Sequence, residues 1–177
     1  MSCYLRTRTS FLILLLLGPL YASTAQESRS SVSLGADVLI PLGKLKDEVV
    51  TGFGGSAKFN FRLSRSFALT ASIGFVSFQG KRDTLASFEG VPLHAGLRFY
   101  LIRGVASSMY CAIEAGVFLL TGKQSRSAGP SGSPILGVEL PLGKTTNIDL
   151  SARYDYLHLP RGTRTDLGLR AAASFQL

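Results

Sequence analysis

The chain has no tryptophan, two histidines, two methionines and two cysteines in 177 residues. Two cysteines cannot build a thiolate cluster, and zinc spacings, calcium loops and glycine-rich phosphate loops are missing as well, so no cofactor or metal is expected. Long apolar runs are also scarce. Beyond the N-terminal region no stretch reaches about 18 consecutive apolar residues, so nothing there can cross a membrane as a helix. Basic residues outnumber acids, 19 Lys and Arg against 11 Asp and Glu. They are dispersed, without a cluster or an RNA-binding motif, which argues against nucleic acid as a partner.

Residues 1–25 read as an export signal. Arg6 and Arg8 form a basic start, Phe11 to Leu20 an apolar run, and Ser23-Thr24-Ala25 the small residues that a signal peptidase requires. Cleavage is expected after Ala25, leaving a single domain over 26–177. The competing reading, an uncleaved anchor, suffers from the shortness of the run and its ending at Gly18-Pro19. Loss of Arg6 and Arg8 takes the formal charge from +8 to +6. Cys3 departs with the leader, so Cys111 has no intramolecular disulfide partner and reads as a small apolar side chain.

What the remaining chain does have is alternation. Eight stretches place apolar residues at every second position: about 31–40, 53–63, 67–75, 91–101, 108–120, 136–140, 148–156 and 167–177. The last sets Leu167, Leu169, Ala171, Ala173, Phe175 and Leu177 against Gly168, Arg170, Ala172, Ser174 and Gln176. Charges in mid-strand, behind an export signal, point to lipid on the apolar side and a polar interior: an all-β, eight-stranded antiparallel up-and-down transmembrane barrel. Phe53, Phe67, Phe99, Tyr154 and Tyr156 then face lipid or its interfaces. Links after strands one, three, five and seven read as the longer ones, with 121–133 and 158–166 as polar loops. That puts both termini on the periplasmic side and the long loops outside. Pro-Leu-Gly-Lys occurs at 41 and again at 141, which is read as shared turn chemistry rather than duplication.

The polar phase collects Asp37, Lys58, Arg62, His94, Arg98, Glu114, Glu139, Asp149, Arg153, Asp155 and Arg170. Unpaired charges in a dry interior are costly, so these groups must pair or hold water. An eight-stranded barrel is barely wide enough for its own side chains, and a plugged lumen is the expected outcome. A narrow path for small solutes or ions is the alternative. In the loops, Lys123, Arg126, Arg161 and Arg164 are candidate contacts for an anionic glycolipid. Catalysis is not expected. Only His94 and His158 are available as bases, and no sequence spacing sets either against a nucleophile.

Three phrases carry a family resemblance: Pro41-Leu42-Gly43 followed by Thr51-Gly52-Phe53-Gly54, then 67–75 (FALTASIGF), and finally 150–156 (LSARYDY). With them the chain resembles the small outer-membrane β-barrel proteins of Gram-negative bacteria, of the OmpX, OmpW and OmpA-barrel types. The terminal Leu177 stands where such barrels usually carry an aromatic residue. The resemblance implies residence in the outer membrane, lipid and lipopolysaccharide as surroundings, and insertion by the barrel-assembly machinery. It further implies a role in adhesion, envelope stabilisation or small-solute passage. No catalytic residue carries over. A third reading, a secreted soluble barrel around a small apolar ligand, requires the two phases to be inverted.

Overall fold

The computed structural model describes residues 30–81, 87–104, 107–122, 125–159 and 162–177. The proposed leader and its cleavage site lie outside them. Eight strands follow one another: β1 (Ser30–Leu42), β2 (Gly52–Arg62), β3 (Phe67–Phe78), β4 (Phe88–Arg103), β5 (Ser108–Gly122), β6 (Ser125–Pro141), β7 (Thr146–Leu159) and β8 (Gly162–Gln176). One helical turn, α1 (Leu45–Glu48), sits between β1 and β2. Each strand pairs antiparallel with the next, and β8 returns to β1 to close the barrel. Closure leaves no sheet edge, which is what a strand needs where water cannot satisfy its backbone.

The side-chain period of two sorts the residues onto the two faces. Outward stand Leu34, Ile73, Leu97, Ile113, Leu136, Leu150 and Leu169, all exposed, together with Phe53, Phe67, Phe99, Tyr154 and Tyr156. The Phe67 and Phe99 rings meet across β3 and β4 with centroids 4.9 Å apart. Inward stand Ser33, Asp37, Lys58, Arg98, Glu114, Asp149, Arg170 and Ser174, all buried. The soluble-barrel reading requires the reverse arrangement and is therefore overturned by the register itself.

Two expected loops are strand instead. The polar stretch 121–133 continues β5 to Gly122 and opens β6 at Ser125, with the ladder unbroken from Gly122↔Ser125 to Ser108↔Glu139. The stretch 158–166 likewise splits between the end of β7 and the start of β8. Hydrogen bonding to an already formed neighbour holds these segments, whatever their weak intrinsic signal. Pro130 and Pro134 on β6 lack an N–H, and the ladder to β7 is the one that suffers. It ends at Ser131↔Leu157 and skips Ser133 and Pro134. At 17 residues β6 is far longer than the 9 to 11 or so that a tilted strand needs to cross hydrocarbon.

The links after β1, β3, β5 and β7 share one end of the barrel, here the loop end; both termini and the other three links share the opposite end. The two Pro-Leu-Gly-Lys phrases lie at opposite ends, since Pro41 belongs to the top of β1 and Pro141 to the bottom of β6. Only the first needs its glycine for conformation: Gly43 has φ +52°.

Candidate functional site

The interior is layered along the barrel axis. Nearest the termini, Arg98 is fully buried and donates to Glu139 and, at 3.2 Å, to Asp149. Its guanidinium lies over the Tyr110 ring, 3.7 Å from the centroid, and the Tyr110 hydroxyl donates to Asp149 at 2.7 Å. One cation thus answers two carboxylates and an aromatic face, and Tyr100 and Ile135 pack around it. Charges so far from water need close counter-charges of this kind, although the buried Arg98 Nε has no hydrogen-bond partner among the described residues. Room for the ring comes from β6: Tyr110 covers Gly137, where a Cβ has no space.

Above this cluster Lys58 and Glu114 pair at 2.7 Å, with Ser72 donating to Glu114 at 3.0 Å. Arg170 donates to the hydroxyls of Ser56 at 2.8 Å and Ser33 at 3.0 Å. Ser56 in turn donates to Asp37 at 2.6 Å. Arg153 then bridges two acids, Asp37 at 2.9 Å and Asp155 at 2.7 Å. The residues brought together lie up to 137 positions apart in sequence. Arg62, nearer the terminal mouth, lies 5.8 Å from the Tyr100 ring centroid.

Sequence reading missed two features here. Asp166 falls in the stretch that reads as a loop, yet it is buried on the inner face of β8 and registered directly opposite Asp155. The signal was present, because Asp166 shares its phase with Arg170. The second is a base beside a hydroxyl: His94 Nε2 and Ser131 Oγ are 2.7 Å apart although 37 residues separate them. The expectation that no base meets a nucleophile is corrected on this point. Only β4–β6 proximity through the barrel brings them together, so no local spacing reveals it.

A cavity of about 40 Å³ runs between these groups, lined by Asp37, Lys58, His94, Arg153, Asp155 and Asp166 among others. That volume holds on the order of one to three waters. Among the described residues no group of three or more His, Cys, Asp or Glu is arranged to hold a metal. Over the cavity, at the loop end, lies an apolar layer: Leu39, Val76, Phe78, Phe118 and Leu157, joined by Leu45 and Val49 from α1 and its flank.

The candidate loop contacts divide. Arg164 is at the rim and pairs with Glu48 at 2.7 Å. Lys123 and Arg161 lie outside the described residues, as does the side chain of Arg126. His158 sits at the same rim, 3.4 Å from Thr163. Cys111 is a free thiol on β5, in the outward phase with Ile113 and Met109.

No protein-family model and no curated protein matches the sequence. Solved structures do. Neisserial surface protein A superposes with a TM-score of 0.70 at 13% identity, over 85% of this chain and all of that one. The outer membrane protein OprG from Pseudomonas aeruginosa gives 0.58 at 11% identity, over 86% and 97%. The Yersinia pestis attachment invasion locus protein Ail, solved with the heparin analogue sucrose octasulfate, gives 0.54 at 19%, over 85% and 100%. The chain has the fold of the small outer-membrane β-barrels. Identities this low establish the barrel architecture and leave its task open.

Proposed function

We propose that this protein is an integral outer-membrane barrel without enzymatic activity, whose interior is filled by its own side chains and whose loop end is displayed at the cell surface. The observation that carries the reading is the placing of Arg98 across the lumen, its two terminal nitrogens on Glu139 and Asp149 and its guanidinium over the Tyr110 ring. A cation held this way closes the lumen rather than lining a route through it. The outward rows of Leu, Ile and Phe supply the apolar band that hydrocarbon requires. Lipid and lipopolysaccharide are then its surroundings, and the barrel-assembly machinery its route of insertion.

A surface-interaction role follows from the charge at the loop end. Lys44, Lys46 and Lys81 are exposed there, beside the rim residue Arg164. Phosphate or sulfate groups on sugars suit such a rim, and Ail was solved with a sulfated sugar. Lys123, Arg126 and Arg161 belong to the same proposed contact set. In planar bilayers the purified barrel should show no single-channel steps at 1 M KCl. Regular steps favour the alternative, a narrow channel. Binding to lipopolysaccharide micelles should weaken as salt rises from 50 to 500 mM, and salt-independent binding refutes the ionic contact.

A further inference from the structure

We propose that residues 44–50, with α1 at their centre, form a hinged lid that closes a charged vestibule in the upper half of the barrel. The proposal is independent of whether the protein binds a glycolipid.

A single turn of helix does not hold itself together in water, so α1 stays where its contacts put it. Those contacts are an apolar plug. Leu45 and Val49 are each 2% exposed and pack on Leu39, Val76, Phe78, Phe118 and Leu157, five inward residues of four different strands. Among the described residues, Leu45 and Val49 of the lid complete this buried cluster, with Leu120 packed at its side. Burial of the plug is thus the reason the segment folds inward at all.

Among the described residues, polar ties that hold the segment down lie at the rim, together with an antiparallel bridge between Val49 and Gly80. Glu48 pairs with Arg164 at 2.7 Å, Val50 N–H donates to Gln79 at 2.9 Å, and Lys81 N–H donates to Glu48 at 3.1 Å. The hinge toward β1 is Gly43, with positive φ and only Thr165 Oγ1, 3.9 Å away, near its open side. Toward β2 the segment ends at the exposed Thr51, before Gly52 enters the ladder opposite Leu39.

Beneath the lid is the small cavity, of which Leu45 forms part of the roof. Its walls carry Asp37, Asp155 and Asp166 against Lys58 and Arg153, and the buried Oδ1 of Asp166 has no hydrogen-bond donor among the described residues. Water and small ions are the occupants this wall suits. The floor is the Arg98 cluster, so opening the lid creates a blind vestibule and not a through path.

The test measures access. The full chain carrying Cys3→Ala, Cys111→Ala and Ser131→Cys is folded in detergent, and a quaternary-ammonium methanethiosulfonate is added. Labelling is followed by mass. With the lid intact, the cysteine at 131 should react much more slowly than one placed on the lid surface by Lys46→Cys. Leu45→Ser should speed the reaction about tenfold or more, since it removes the plug. Glu48→Gln cuts only the exposed latch, leaves folding intact and should speed it about two- to fivefold. Heat-modifiable gel mobility reports folding in every variant. Equal rates in the three backgrounds, or fast labelling at 131 with the lid intact, overturn the proposal. If Leu45→Ser does not fold, the Glu48→Gln rate decides alone.

Discussion

Arg153 on β7 reaches Asp37 on β1 at 2.9 Å by passing over Gly168 of the strand between them. A Cβ at position 168 would lie 2.7 Å from Arg153 Nε and 2.8 Å from its Cγ, so the bridge exists because that residue has no side chain. Gly168→Val should therefore displace Arg153 and leave Asp37 with the Ser56 hydroxyl but no counter-charge. The expected cost is about 1 to 3 kcal/mol, read as a lower urea midpoint with the folded gel band retained. Gly143→Val, in a turn with open space around it, is the control and should be near neutral. Equal midpoints for Gly168→Val and wild type refute the role of the bridge.

The Arg98 cluster makes a sharper prediction. Asp149→Ala removes one of two carboxylates and the acceptor of the Tyr110 hydroxyl, leaving a buried cation underpaired; about 3 to 5 kcal/mol should be lost. Replacing the whole set by Arg98→Met, Asp149→Leu and Glu139→Gln should recover most of that loss, because no uncompensated charge remains. Unfolding in urea from detergent micelles measures both. A triple variant less stable than Asp149→Ala refutes this account of the cluster.

Tyr110→Phe isolates one bond of the same cluster. The ring stays over Gly137 and against Arg98, while the 2.7 Å donation to Asp149 disappears. A loss of about 1 to 2 kcal/mol is expected by the same unfolding measurement. A variant as stable as wild type would mean that the ring alone matters there.

On the outer wall, Leu150→Arg and Leu169→Arg put a cation among exposed apolar rows. Each should cost about 2 to 4 kcal/mol near the bilayer midplane and lower the yield of heat-modifiable barrel in outer membranes. Leu142→Arg, at the link after β6, should be tolerated. Wild-type yields for all three would count against lipid on that face.

The strands were legible because a period of two survives in almost every one of them. Leu150, Ala152 and Tyr154 against Asp149, Ser151 and Arg153 leave little choice of face. The upper half of β6 was not legible. Its outward residues Ala128, Pro130, Gly132 and Pro134 are small or lack a donor, so they mimic a loop, and only the β5 ladder makes them strand. The inward apolar layer was equally hidden. Leu39 lies in the run Val38-Leu39-Ile40, where both faces are apolar and the alternation vanishes. Pairings such as Lys58–Glu114 or His94–Ser131 depend on which strands face each other across the lumen, and no local window contains that information.

The interrupted seam between β6 and β7 has a mechanical consequence. Among the described residues the stretch of β6 above Ser131 is laddered to β5 alone, so that part of the wall is a cantilever. A wall built so is expected to bend most easily at that rim, beside the Leu157 edge of the plug.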